Sequence, residues 1–272
     1  MPCATSVQTP SEARVARLSP SSPRHAHEHS VKSHLVDYWG ERAEDFAALH
    51  TRELASPKRA AWLAEIAPQL TRAGRPAGTP LRILDAGTGS GFLALILADL
   101  GHEVRGIDLT PEMIEQARAT ARRLGSSATF EVRDAERTGF APGSFDLVVT
   151  RNLTWALPHL AQAYAHWHDL LAPGGVLVNF DGDYAHERPL RELAVPEAHA
   201  HAGISRSLQR EYEHIKEHLA AGQLARPAWD LELLAQAGFH DVELDTHLSE
   251  RLFAEPDDFY NPTPMFRIVA RR

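Results

Sequence analysis

The stretch "LRILDAGTGSGFLALILADLGHEVRGIDLT", Leu81 to Thr110, carries three glycines at alternate positions, Gly87, Gly89 and Gly91, with Asp85 two residues ahead of the first. Glycines at this spacing let the backbone turn sharply and let a ligand approach with no Cβ in the way. The apolar run that follows reads as a helix, whose first amide groups would point at that ligand. A dinucleotide fingerprint needs its last glycine three positions after the second, where this chain has Phe92. No Gly-Lys-Ser/Thr is present, which excludes a phosphate-cradling loop. A carboxylate at Asp85 is unfavourable beside a pyrophosphate and suits a ligand bearing an ammonium group. Asp108 closes the next strand, at about the distance where an acidic residue reaches two ribose hydroxyls.

Together, the glycine loop, Asp85 and Asp108 point to S-adenosylmethionine (SAM). Each Asp alone would be an ordinary cap or turn residue.

These residues need a sheet to hold them. The pattern predicts strands at 81–86, 103–108, 128–133, 145–150 and 175–180, and helices at 90–100, 111–124 and 156–171. Pro111 suits a first helical turn after a Thr110 cap. "LAPGG" at 171–175 reads as a helix stop and turn. A further helix and strand follow in "WDLELLAQAGFHDVELDTHLSE", and "PMFRIVARR" supplies a last strand. The expected fold is α/β: a doubly wound, mostly parallel seven-stranded sheet, with an N-terminal helical segment and a helical insertion after the fifth strand. Residues 1–30, rich in Pro, Ser, Ala and Arg, are expected to form a disordered tail, and 31–272 one domain. The insertion, 183–227, is expected to be a helical lid over the acceptor site. His25, His27 and His29 alternate within the polar tail and read as solvated, not as a metal site.

The chain has 272 residues and a net charge of -8, so a broad nucleic-acid footprint is not expected. Its one cysteine, Cys3, has no partner within the chain, which fits a cytoplasmic setting. No apolar run approaches membrane-spanning length, and the N-terminal segment lacks a signal-peptide core. A homodimer is open.

"LDAGTGSGFLAL" resembles the first motif of class I SAM-dependent methyltransferases, and "GIDLT" their second. "VRDAERTGFAPGSFDLVVT" resembles the third and fourth, and "LLAPGGVLVNF" the helix turn and strand that follow. The resemblance spans about 31–182 and is specific for the superfamily, not for a substrate. It implies that Asp85 and the backbone of Gly87 and Gly89 hold the methionine end, Asp108 the ribose hydroxyls, and Leu109 and Met113 the adenine faces, with Gly91 counted among the cofactor residues. Asp134 and Ala135 would meet the adenine edge, and Arg151 is counted with the cofactor residues. "DYWGERAEDF" resembles the helix preceding the core in this superfamily, which implies Tyr38 and Arg42 near the cofactor.

Methyl transfer from a sulfonium is an in-line displacement, so alignment and desolvation supply much of the rate and no conspicuous base is required. The fourth strand ends in "TRNLTWAL", without the Asn/Asp-Pro-Pro-aromatic pattern of many base-methylating enzymes. Asn152 and Trp155 emerge at the crevice edge, where Asn152 is a catalytic candidate and Trp155 an acceptor contact. At the end of the fifth strand Asp181 is the candidate to orient or deprotonate the acceptor. His186, Arg226 and Trp229 are acceptor candidates; a metal held by Asp181, Asp183 and His186 is not expected. The remaining histidines, His214 and His218 among them, read as solvated. "RPAWDLELL", "NPTPMF", "TRNLTW" and "NFD" resemble a group of small bacterial methyltransferases with no assigned acceptor. Ala-, Arg- and Pro-rich usage suggests a GC-rich bacterial source making specialised metabolites, which would fit a small-molecule tailoring methyltransferase. The competing readings are a nicotinamide-dependent oxidoreductase and a non-catalytic SAM-binding protein.

Overall fold

The structure, a computed structural model, describes residues 23–76, 78–187, 204–219, 224–255 and 257–272. Helices α1 (Pro23–Leu54) and α2 (Lys58–Leu70) precede the sheet. Then come β1 (Arg82–Ala86), α3 (Phe92–Asp99), β2 (Glu103–Asp108), α4 (Pro111–Leu124), β3 (Thr129–Val132) and β4 (Phe145–Arg151). They are followed by α5 (Leu160–Leu170), β5 (Leu171–Gly182), α6 (Arg206–His218), α7 (Ala228–Gln236), β6 (His240–Asp245), α8 (Leu248–Leu252) and β7 (Met265–Arg271). The strand order is β3-β2-β1-β4-β5-β7-β6. The first five strands pair in parallel, and β7 runs antiparallel to both β5 and β6.

Both faces of the sheet are covered, and the period-two alternation of the strands divides them. Ile83, Leu147, Val149, Val176 and Val178 face one cluster with Trp62, Phe92 and Ile96. Leu84, Val148 and Leu177 face the other with Tyr164, Trp167 and Leu234. A third, aromatic cluster joins α1 to α6 through Tyr38, Trp155, Tyr184, Tyr212 and Ile215.

Four expectations need correction. Helix α1 begins at Pro23, inside the segment expected to be a tail; proline is favoured in a first turn and no strong breaker follows before Leu54. α3 starts at Phe92 because Gly91 ahead of it is left-handed. α5 starts at Leu160, because Pro158 forces Leu157 into the extended region and leaves only a short 3-10 turn at Thr154–Ala156. "LAPGG" is the irregular beginning of β5: Leu171 pairs with Phe145, and the register shifts before Leu147 pairs with Val176. Of the insertion, α6 packs on α1; 188–203 and 220–223 lie outside the described residues.

Candidate active site

The glycine loop is tied to the ends of two strands. Asp85, at the end of β1, accepts hydrogen bonds from the Thr88 hydroxyl at 2.6 Å and the Ala94 amide at 3.1 Å. Asp108, at the end of β2, accepts from the Gly89 and Thr110 amides, both at 2.9 Å. Gly89 has φ +53°, and a Cβ there would meet nothing within 4 Å, so this turn of the loop leaves an open approach. Gly91, at φ +93°, serves packing instead: a Cβ there would meet the Phe130 ring at 3.0 Å and Ala117 at 3.3 Å. Burial pushes the Asp85 carboxyl up to about 7, against the Thr88 hydroxyl and Ala94 amide that favour its ionised form. Burial also raises Asp108, while the Thr110 and Gly89 amides pull it back.

Above the loop lies a cavity of about 160 Å³. Asp85, Gly87, Gly89, Asp108, Leu109 and Met113 line one side, with Asp134 and Ala135 at one end. Arg151, Asn152 and Leu153 border it from the end of β4. Leu153 lies directly over Gly87, where a Cβ would stand only 2.7 Å from its side chain. Asn152 adopts the left-handed conformation, φ +57°, and its side-chain carbonyl accepts from the Tyr184 hydroxyl at 2.9 Å.

The opposite wall is α1, and neither of the two α1 residues expected at the cofactor lines the cavity. Lys32, Leu35, Val36, Trp39, Phe46 and His50 face the cavity. Their three-, four- and seven-residue steps mark one helical face, a signal the sequence carried. Tyr38 and Arg42, the expected cofactor contacts, do not line the cavity. Tyr38 is buried in the α1–α6 aromatic cluster, and Arg42 donates to its hydroxyl at 3.0 Å and lies over Phe46. A rotation of about 100° per residue turns Tyr38 away from the cavity that Trp39 faces.

Two polar groups anchor the wall. Lys32 reaches Asp134 at 2.6 Å and Glu136 at 2.5 Å. At the other end, Arg151 pairs with Glu53 through two hydrogen bonds of 3.1 and 3.2 Å and stacks over Trp62 and Phe92. Trp62 donates to the same Glu53 at 2.8 Å. His50 stands between these groups, its Nδ1 2.7 Å from the Ser90 hydroxyl. Burial pulls its imidazole down to about 4, so it is neutral at physiological pH.

Several other candidates are structural. Asp181 is fully buried and does not reach the cavity. It accepts from the Thr154 hydroxyl and from the Trp155 amide at 3.1 Å, and pairs with Arg226 at 3.4 Å. Arg226 is fully committed: its Nε and one Nη reach Asp230 at 2.9 and 2.6 Å, and it also donates to Thr154 at 2.6 Å. Burial alone would lower its pKa, but the pull of Asp181 and Asp230 outweighs this and holds it protonated. Neither group lines the first cavity, although Arg226 borders a second one. Trp155 is buried against Tyr184 and Tyr212. Trp229 packs on the second core cluster. His186 is exposed, 2.8 Å from Asp183, beside a separate cavity of about 540 Å³.

The donor set of the first cavity fits SAM. Carboxylates stand where an ammonium group and a diol would need acceptors, and Leu109, Met113 and Ala135 offer apolar surface to a flat base. The comparisons with known proteins agree. Residues 83–175 match the family model described as a methyltransferase domain. The ubiquinone biosynthesis O-methyltransferase of Thiobacillus denitrificans is 33% identical over 144 residues, 53% of this chain and 57% of that protein. That of Burkholderia multivorans is 31% identical, over 55% of this chain and 60% of its own length. The chain thus matches little more than half of the length of these relatives. Among solved structures, an S-adenosylmethionine-dependent methyltransferase from Mesorhizobium loti aligns with TM-score 0.53 and 23% identity, over 76% of this chain and 97% of that one. Phosphoethanolamine N-methyltransferase 2 of Haemonchus contortus, in complex with S-adenosyl-L-methionine, aligns with TM-score 0.54 and 20% identity, over 77% and 52%. At these identities the structural matches establish the fold.

Proposed function

We propose that the chain acts as a class I SAM-dependent methyltransferase on a hydroxylated, largely apolar small molecule, a reading supported by its methyltransferase-domain match and its O-methyltransferase relatives. One observation carries this reading: a single cavity has the cofactor motifs on one side and the apolar face of α1 on the other. Bound SAM supplies a methyl group already activated on a cationic sulfur. Asp85 and the loop at Gly87 and Gly89 hold its methionine end, Asp108 its ribose, and Leu109, Met113, Asp134 and Ala135 its base. Leu35, Val36, Trp39 and Leu153 exclude water from the acceptor, which strengthens the polar contacts that remain. Asn152 and neutral His50 orient the nucleophile. In the tautomer whose Nδ1–H donates to Ser90, His50 Nε2 accepts a hydrogen bond from an acceptor hydroxyl.

Oxygen is the favoured nucleophile because the curated relatives are named O-methyltransferases. A role in tailoring specialised metabolites fits the same chemistry. The nicotinamide reading loses support from Phe92 at the third fingerprint position and from the methyltransferase-domain match. Calorimetry with SAM, followed by S-adenosylhomocysteine formation with catechol-type probes, tests the proposal. One-to-one SAM binding and acceptor-dependent product are expected. SAM binding without product from any hydroxylated ring would favour the non-catalytic reading, and absence of SAM binding would overturn both.

A further inference from the structure

Helix α6 packs on α1 through Tyr212 and Ile215, and its exposed side carries His214, Glu217 and His218. Residues three and four apart on a helix share a face. The potential ligand atoms of these three side chains all lie within 4.8 Å of one another, and all three residues are exposed. The two imidazoles stand 4.2 Å apart, centroid to centroid. His218 Nδ1 lies 2.8 Å from the His214 carbonyl. A neutral imidazole donating from Nδ1 to a carbonyl carries its lone pair on Nε2, the arrangement commonly found in metal-bound histidines.

We propose that His214, Glu217 and His218 form a site for a divalent transition-metal ion. Two imidazoles and one carboxylate suit Zn²⁺, Ni²⁺ or Cu²⁺ and disfavour Mg²⁺ and Ca²⁺, which take oxygen ligands. Bringing three atoms from within 4.8 Å to bonds of about 2.0–2.2 Å around one ion requires only side-chain torsions, because the backbone spacing is set by the helix. The site adjoins α1: the His34 ring lies 5.1 Å from that of His214, with its own Nδ1 2.5 Å from Glu211. The proposal is independent of the acceptor and of SAM.

Calorimetric titration of the full chain with ZnCl₂ tests it. The wild type should show a one-to-one binding component. His214→Ala and His218→Ala should each weaken that component at least about tenfold. A triple His25→Ala, His27→Ala, His29→Ala variant should retain it, which separates the site from the histidines near the N-terminus. Circular dichroism should report both α6 variants as folded, since the altered side chains are exposed. A one-to-one component that survives both α6 substitutions, or its absence from the wild type, would overturn the site. Equal affinity for MgCl₂ would overturn it too, as simple attraction to carboxylate.

Discussion

Asp108 and Asp181 occupy matching positions in the chain: each stands at or near the carboxyl end of a strand, β2 or β5, on the edge of the sheet where ligands gather. They have opposite fates. Asp108 borders the cavity, its carboxylate bonded to the Gly89 and Thr110 amides and the Thr110 hydroxyl, with no cation among its hydrogen-bond partners. Asp181 is sealed among Thr154, the Trp155 and Gly182 amides and Arg226, and the network runs on through Asp230 to the Tyr164 hydroxyl. The difference lies in what the following chain brings. After β2 the chain enters α4 at once and leaves the edge open. After β5 it leaves, and returns a guanidinium just before α7. A carboxylate at a strand end is thus left facing a cavity where no later segment supplies its counter-charge.

The largest test of this contrast removes that counter-charge. Arg226→Met should leave Asp181 and Asp230 buried without a cation and destabilise the fold by about 3–5 kcal/mol in chemical denaturation. If the loss is below about 1 kcal/mol, the buried network is not a lock. The next test concerns Asp85, whose folded pKa of about 7 lies above its ordinary value of 3.8. A raised acid contributes stability that is fully present below pH 3.8 and lost as pH rises to about 7. The SAM-free wild type should therefore lose stability relative to Asp85→Asn across that window, by up to about 1.4 kcal/mol per pH unit and on the order of a few kcal/mol in all. Parallel pH curves would show that Asp85 titrates alike in the folded and unfolded chain.

On the cavity side, Asp108→Asn should weaken SAM binding by roughly 1.5–3 kcal/mol, or about ten- to over a hundredfold, with little change in folding stability. Unchanged affinity in calorimetry would remove Asp108 from the site. The smallest effect is expected at the far end of the buried network. Tyr164→Phe deletes the 2.6 Å hydrogen bond to Asp230 but leaves Arg226 in place, and should cost about 1–2 kcal/mol with SAM affinity unaltered.

What the sequence disclosed follows the range of the interactions involved. The sheet was legible because strand alternation and the Gly and Pro punctuation are local, and Asp85, Asp108 and Asp134 were legible because each lies in a short motif attached to a strand. The wall of α1 was half legible. The helix was evident, but Tyr38 and Arg42 were chosen where Lys32, Trp39 and His50 share the inward face, since periodicity gives a stripe and not its direction. The Asp181–Arg226–Asp230 network was not legible, because it depends on where α7 docks. Pro158 is the local signal for the late start of α5, since it holds Leu157 extended.

The fastening of α1 has a kinetic consequence. A helix of 32 residues is about 48 Å long, and its two ends are held by different physics. Near its C-terminus, Glu53 is buried, bonded to Arg151 and Trp62, and shielded from salt. Toward the other end, Lys32 meets Asp134 and Glu136 in a partly exposed cluster at the proposed adenine subsite. Ions screen the second fastening far more than the first. Fluctuations of the wall should thus be hinged at Glu53 and widest at Lys32. Ligand exchange then becomes an ionic-strength-dependent step: salt should speed dissociation of the spent cofactor, and Lys32→Ala should make that rate insensitive to salt.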